Sequence, residues 1–173
     1  MNATRSRATR PASTRSASEV ISKNMQALAS ASVESHYSSD PSLKRYGAAG
    51  RVRCMEDAQY HLEFLLAALD AESIAQFVDY CGWAKILLHS RGIDVSHLIE
   101  NLQHLYSALK SKLSRKEFSQ VAEYLQAGID ALPDLPADLP SHIAAERPYA
   151  HTANAYLNAL LRFDRDRAAE RSC

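Results

Sequence analysis

Apolar residues return at intervals of three and four along most of the chain, and no stretch alternates with a period of two. Such spacing lines one face of an α-helix, whereas a half-buried strand needs alternation. The cleanest series is Leu98, Leu102, Leu105, Leu109 and Leu113, opened by Asp94 as a helix cap. Ser114-Arg115-Lys116-Glu117 has the form of a capping box and predicts a helix through Leu132, with Phe118, Val121, Leu125 and Ile129 inward. A helix over 73–90 presents Ile74, Phe77, Val78, Cys81, Ala84 and Leu88, with Tyr80, Trp83 and Leu87 adjoining and Gly92 as its stop. The fold class is all-α.

The strongest helix is predicted over 51–69 and carries two stripes. Met55, Ala58, Leu62, Leu65 and Leu69 form the first; Cys54, Asp57, His61, Phe64 and Ala68 form the second. Two useful faces suggest a central helix with a core on one side and a more polar cleft on the other. Ahead of it, Ser39-Asp40-Pro41 reads as a capped start, a short turn reaches Gly47, and Gly50 marks a further break. An earlier helix is expected over 18–36 through Val20, Ile21, Met25, Leu28 and Val33. Near the other end, Pro133, Pro136 and Pro140 make a stiff connector. A last helix over 148–163 offers Tyr149, Ala153, Tyr156, Leu157 and Leu160. The organisation expected is one domain over 17–163, with its core in 40–132, a connector over 133–147 and an extra helix over 148–163. Residues 1–16, with four arginines and no acid, read as a disordered basic tail, and 164–173 as a charged tail.

Composition narrows the function classes. Twenty basic residues balance twenty acidic ones, so overall charge points neither to nucleic acid nor to an anionic membrane. The run Phe64–Leu69 is far shorter than the roughly 20 apolar residues of a membrane span, and a soluble protein is expected. Three cysteines without CxxC spacing argue against a disulfide framework or structural zinc and for a reducing cytoplasm. His97 and His104 share a helical face, yet no third ligand stands beside them in the sequence, so no metal site is expected. No GxSxG, HExxH, P-loop or GxGxxG is present, and no catalytic residues are expected.

The stretch Cys54-Met55-Glu56-Asp57-Ala58-Gln59-Tyr60-His61-Leu62 resembles the chromophore helix of phycobiliproteins. Ala71-Glu72-Ser73 falls where that family turns into its next helix, and Tyr124 to Leu132 is similar to its closing helix. The run from Arg45 to Leu62, with Phe77-Val78-Asp79-Tyr80 and Trp83-Ala84-Lys85, also resembles helical domains that precede bacterial cobalamin-binding domains. These group with the bilin biosynthesis-associated globins. The resemblance spans about 40–132. It implies a globin-like (phycobiliprotein-like) helical bundle that binds a linear tetrapyrrole (bilin), such as biliverdin or a reduced bilin.

The resemblance places Asp57 where the family's aspartate accepts the inner pyrrole N–H bonds, a charge-assisted pairing. Cys54 would be the thioether attachment point, Arg51 and Arg53 would activate its thiol and meet propionates, and Tyr60, His61, Phe64 and Trp83 would wall the pocket. One position departs from the family. Glu56 stands where it carries a propionate-pairing arginine, so either Arg51 or Arg53 takes over, or the ligand sits differently, or no bilin binds. The partners implied are the tetrapyrrole, enzymes of bilin synthesis and a second copy in a homodimer. Two alternatives stay open: a ligand-free globin-fold module acting through dimerisation, and a haem globin, for which only His89 is available on the 73–90 helix.

Overall fold

The computed structural model describes residues 12–138 and 146–161. Among them are seven α-helices and no strand: α1 (Ala12–Lys23), α2 (Met25–Ser39), α3 (Gly47–Asp70), α4 (Ile74–Ser90), α5 (Val95–Lys112), α6 (Arg115–Ala131) and α7 (Ala150–Leu161), with a 3-10 turn at Pro41–Tyr46. No helix of the described residues is long and apolar enough to cross a membrane.

Most boundaries follow from local chemistry. The Asp40 carboxylate accepts from the Ser42 N–H ahead of the 3-10 turn, and Asp94 does the same with Ser96 ahead of α5. Ser73 caps α4 through Gln76 N–H. Ser114 and Glu117 complete a reciprocal capping box on α6.

Three boundaries differ from the expected ones. The single helix over 18–36 is two, because at Asn24 (φ −118°) the side-chain amide takes the Val20 carbonyl and the chain leaves helical dihedrals for one residue. α1 also begins inside the segment expected to be a disordered tail. Ala17 and Ile21 are fully buried, and packing on α6 and α3 supplies the anchor that composition alone did not reveal. Residues 1–11 lie outside the described residues, as does the 164–173 tail. Lastly, α3 starts at Gly47, whose φ of +62° suits glycine, and it runs through Gly50 without a break. Gly50 serves close approach: a β-carbon there would fall 2.3 Å from the Tyr46 β-carbon.

The core lies where α3, α5 and α6 meet, with α1, α2 and α4 around them. Leu62, Leu65 and Leu69 of α3, Leu102, Leu105 and Leu109 of α5, and Val121 and Leu125 of α6 are all fully buried. The α5 stripe from Leu98 to Leu113 is buried as expected. α7 lies on α4, but in a different phase from the one expected: Ala150 and Ala159 are buried, whereas Tyr149, Leu157 and Leu160 are exposed.

The connector is held at its start by an unexpected residue. Lys85 of α4 is 8 % exposed, and its Nζ donates to the carbonyls of Leu132 (2.7 Å), Leu135 (2.6 Å) and Pro133 (3.2 Å). All three ammonium protons are used, and they fall on carbonyls just past the end of α6, where the helix dipole favours a cation.

Candidate functional site

α3 and α4 form an antiparallel hairpin through a tight turn at Ala71–Ser73, with Glu72 in the left-handed region (φ 50°). The hairpin brings together residues that stand 16 to 22 apart in sequence. The Phe64 ring stacks on Tyr80 at 4.0 Å and 12°, and Trp83 lies 6.3 Å from Phe64 and 6.1 Å from Tyr80. Tyr80 is 7 % exposed, but Phe64 is 40 % and Trp83 is 53 % exposed, so the cluster is an open aromatic face. Tyr60, one turn before Phe64 on α3, is 55 % exposed.

Beneath this face, His61 Nδ1 meets the Tyr80 hydroxyl at 2.6 Å. His61 is buried, and burial pushes its pKa down to about 4, so the ring is neutral near pH 7. Burial likewise pushes the Tyr80 phenol up, helped by the negative charge of Cys81, Asp57 and Glu63 in their ionised forms. Two neutral groups thus share one short hydrogen bond, which fixes the angle of the Tyr80 ring and of whatever stacks on it.

Asp57 stands at one end of the face. Its residue surface is open to water, yet crowding of the carboxyl raises its pKa, Glu56 adds to the rise, and Arg91 and Arg53 oppose it. The two cations offset the rise only in part. Arg91 comes from the end of α4 and was not singled out in the sequence, because only the hairpin brings it beside Asp57.

Cys54 and Arg51 face the other way, toward α2. Arg51 pairs with the Glu34 carboxylate and lies 5.0 Å over the Tyr37 ring. The field expected to activate Cys54 is therefore overcome: burial, with Asp57 second, pushes its thiol up to about 11, and Arg51 only partly opposes this. At neutral pH Cys54 is a protonated, half-buried thiol, not a poised nucleophile.

Of the eight residues singled out in the sequence, the fold assembles His61, Phe64 and Trp83 through Tyr80. Asp57 and Arg53 are placed at the rim, Tyr60 in solvent nearby, and Cys54 and Arg51 against α2. His89 is exposed, with Nε2 3.9 Å from an Asp138 carboxylate oxygen in the connector. Among the described residues, no group of three or more histidines, cysteines and carboxylates is arranged to hold a metal ion. No model of a known protein family matches the chain, and no curated protein matches it.

Proposed function

We propose that the α3–α4 face binds a flat conjugated molecule, that this molecule is a linear tetrapyrrole, and that the protein is a globin-like carrier, store or sensor of it. The observation that carries this reading is the ring stack centred on Tyr80, with Phe64 and Trp83 about half exposed. Exposed aromatic rings held rigidly side by side offer a ready stacking surface, and each ring stacked adds about 0.5–1.5 kcal/mol beyond area burial. Asp57 at the rim would accept the pyrrole N–H groups, and Arg53 and Arg91 would meet propionates. The protonated state of Cys54 and its turn toward α2 favour a non-covalent complex over a thioether.

Trp83 is the only tryptophan, so its fluorescence reports this face directly. Titration with biliverdin should quench it saturably, with induced circular dichroism in the ligand's visible bands. Phe64→Ala should weaken binding about 2- to 12-fold, the equivalent of one stacking contact. Absence of saturable quenching would overturn the reading. The second reading, a ligand-free module that dimerises through the same apolar face, would then stand if Trp83→Ala turned a dimer into a monomer in sedimentation equilibrium.

A further inference from the structure

The interface of α2 and α5 is apolar where Leu28, Val33, Leu102 and Leu105 are buried, but its other end is built of histidines. His36 of α2 is 4 % exposed, and its ring stacks on His104 of α5 with centroids 4.8 Å apart and planes 27° apart. His36 Nε2 lies 3.3 Å from Glu100 Oε2, and His97 Nδ1 lies 4.0 Å from the same oxygen. The charged and titratable groups bearing on His36 are thus Glu100, His104 and, through Glu100, His97 on α5, together with Asp40 before the 3-10 turn. α3 meets α2 nearby through Arg51 and Cys54, but these are directed at Glu34 and Tyr37.

The hydrogen bonds assign the protons. Ser39 Oγ donates to the His36 carbonyl, so it can only accept from His104 Nε2 at 3.1 Å. His104 therefore carries its proton on Nε2, and its Nδ1 accepts from the Ser35 hydroxyl at 3.0 Å. His36, facing a carboxylate through Nε2, must place a proton there. Its Nδ1 is then a bare acceptor, buried without a partner, as is the Asn101 carbonyl Oδ1 one residue after Glu100. The Ser32 hydroxyl, one turn before His36 on α2, is buried without a partner as well, so three buried polar atoms on these two helices are left unsatisfied.

We propose that the α2–α5 joint is an acid-released latch: a proton added to His104, which stacks on His36 and is held between Ser35 and Ser39, releases α2. That proton puts a cation in a half-buried seam against the His36 ring and forces the Ser35 hydroxyl to turn round. The direction agrees with His104, whose pKa is lowered by burial and then by His36, with Glu100 opposing. A histidine held below its ordinary value stabilises the fold fully above about pH 6.5. That contribution is lost as pH falls from there toward the folded value.

The test is native-state hydrogen exchange of the full chain, corrected for intrinsic rates, between pH 7.5 and pH 5. Each unit by which the fold depresses His104 should lower the protection of α2 amides about tenfold in acid, while α6 amides change less. His104→Gln keeps a donor and an acceptor but cannot charge, and it should abolish the selective loss. Acid loss spread evenly over α2 and α6, or unchanged in His104→Gln, would overturn the latch. If that variant does not fold, ring-nitrogen NMR of the unaltered protein decides. The His104 ring should carry its single proton on Nε2 at neutral pH and take the second only below the ordinary histidine range, and a His104 titration at or above that range would refute the mechanism.

Discussion

Replacing Gly128 by alanine sets two effects of opposite sign against each other at one atom. In a helix interior alanine is favoured over glycine by about 0.8–1 kcal/mol. The new β-carbon, however, would lie 2.8 Å from Cys81 Sγ, 2.9 Å from Phe77 Cε1 and 3.1 Å from Phe77 Cδ1. Carbon contacts settle near 3.5–4.0 Å, so α4 and α6 must part or both side chains must move by several tenths of an ångström. Phe77 and Cys81 are fully buried, so either can move only against its core neighbours. Overpacking of this kind costs about 1–3 kcal/mol, and two immobile neighbours place it in the upper half. The net expectation is a loss of about 1–2 kcal/mol. Gly82 is the internal control. Its added β-carbon would meet only Leu135 methyls at 3.6 and 3.8 Å, ordinary contact distances, so Gly82→Ala should gain about 0.5–1 kcal/mol. Urea unfolding followed by far-UV circular dichroism, with an unchanged slope, measures both. Cys81→Ala placed in the Gly128→Ala background should return part of the loss, because it removes the nearest atom. If Gly128→Ala were as stable as the parent, the close approach of α4 and α6 derived from these distances would be wrong.

Three further outcomes are expected. Lys85→Met should cost about 2–4 kcal/mol in the same assay, because hydrogen bonds from a charged donor are worth about 1.5–3 kcal/mol and three carbonyls lose theirs; a loss below 0.5 kcal/mol, taken as roughly the surface-substitution level, would refute the capping role. His61, with its pKa held near 4, supports the fold above about pH 6.5 and progressively less as pH falls toward 4, a contribution on the order of 3 kcal/mol, so His61→Gln should flatten stability against pH across that window. With a bilin bound, Asp57→Asn should shift its visible absorption and the pH at which it loses a proton more than Cys54→Ser alters affinity, since the first removes a charge at the rim and the second only a thiol turned toward α2; an unchanged spectrum in Asp57→Asn would remove Asp57 from the site.

Local signals in the sequence located most helix starts because they act within a few residues. Asp40, Ser73, Asp94 and Ser114 each close a bond to an N–H two or three positions on. The buried α5 stripe was legible for the same reason, since one period over five leucines leaves a single phase. What escaped notice depends on contacts between segments. Asn24 breaks a helix that periodicity would continue, and α1 is ordered by what Ile21 touches. α7 buries Ala150 and Ala159 and leaves Leu157 and Leu160 exposed, a phase that its own apolar spacing did not give. At the candidate site, Phe64 and Trp83 could be singled out, but their partnership through Tyr80 required the hairpin. His97 and His104 looked isolated on α5 because His36 arrives from a helix some sixty residues earlier. The sequence does mark Lys85, which is the lone charge in the otherwise apolar run Cys81–Leu88. A single cation in such a run implies a buried acceptor somewhere.

The grip of Lys85 on the carbonyls just past α6 also changes how that helix can come apart. A helix end normally frays alone, one turn at a time, because its terminal carbonyls can turn to water. Here the carbonyls of Leu132, Pro133 and Leu135, which follow the helix directly, are bound to a side chain rooted in α4, so the end of α6, the start of the connector and that part of α4 are tied into one cooperative unit. Lys23, Lys44, Lys110, Lys112 and Lys116 are exposed, so an amine-reactive reagent divides the lysines into five that react at once and one that waits. The slow rate at Lys85 is then a clock for that shared opening, and it counts events invisible to probes placed at the helix tip.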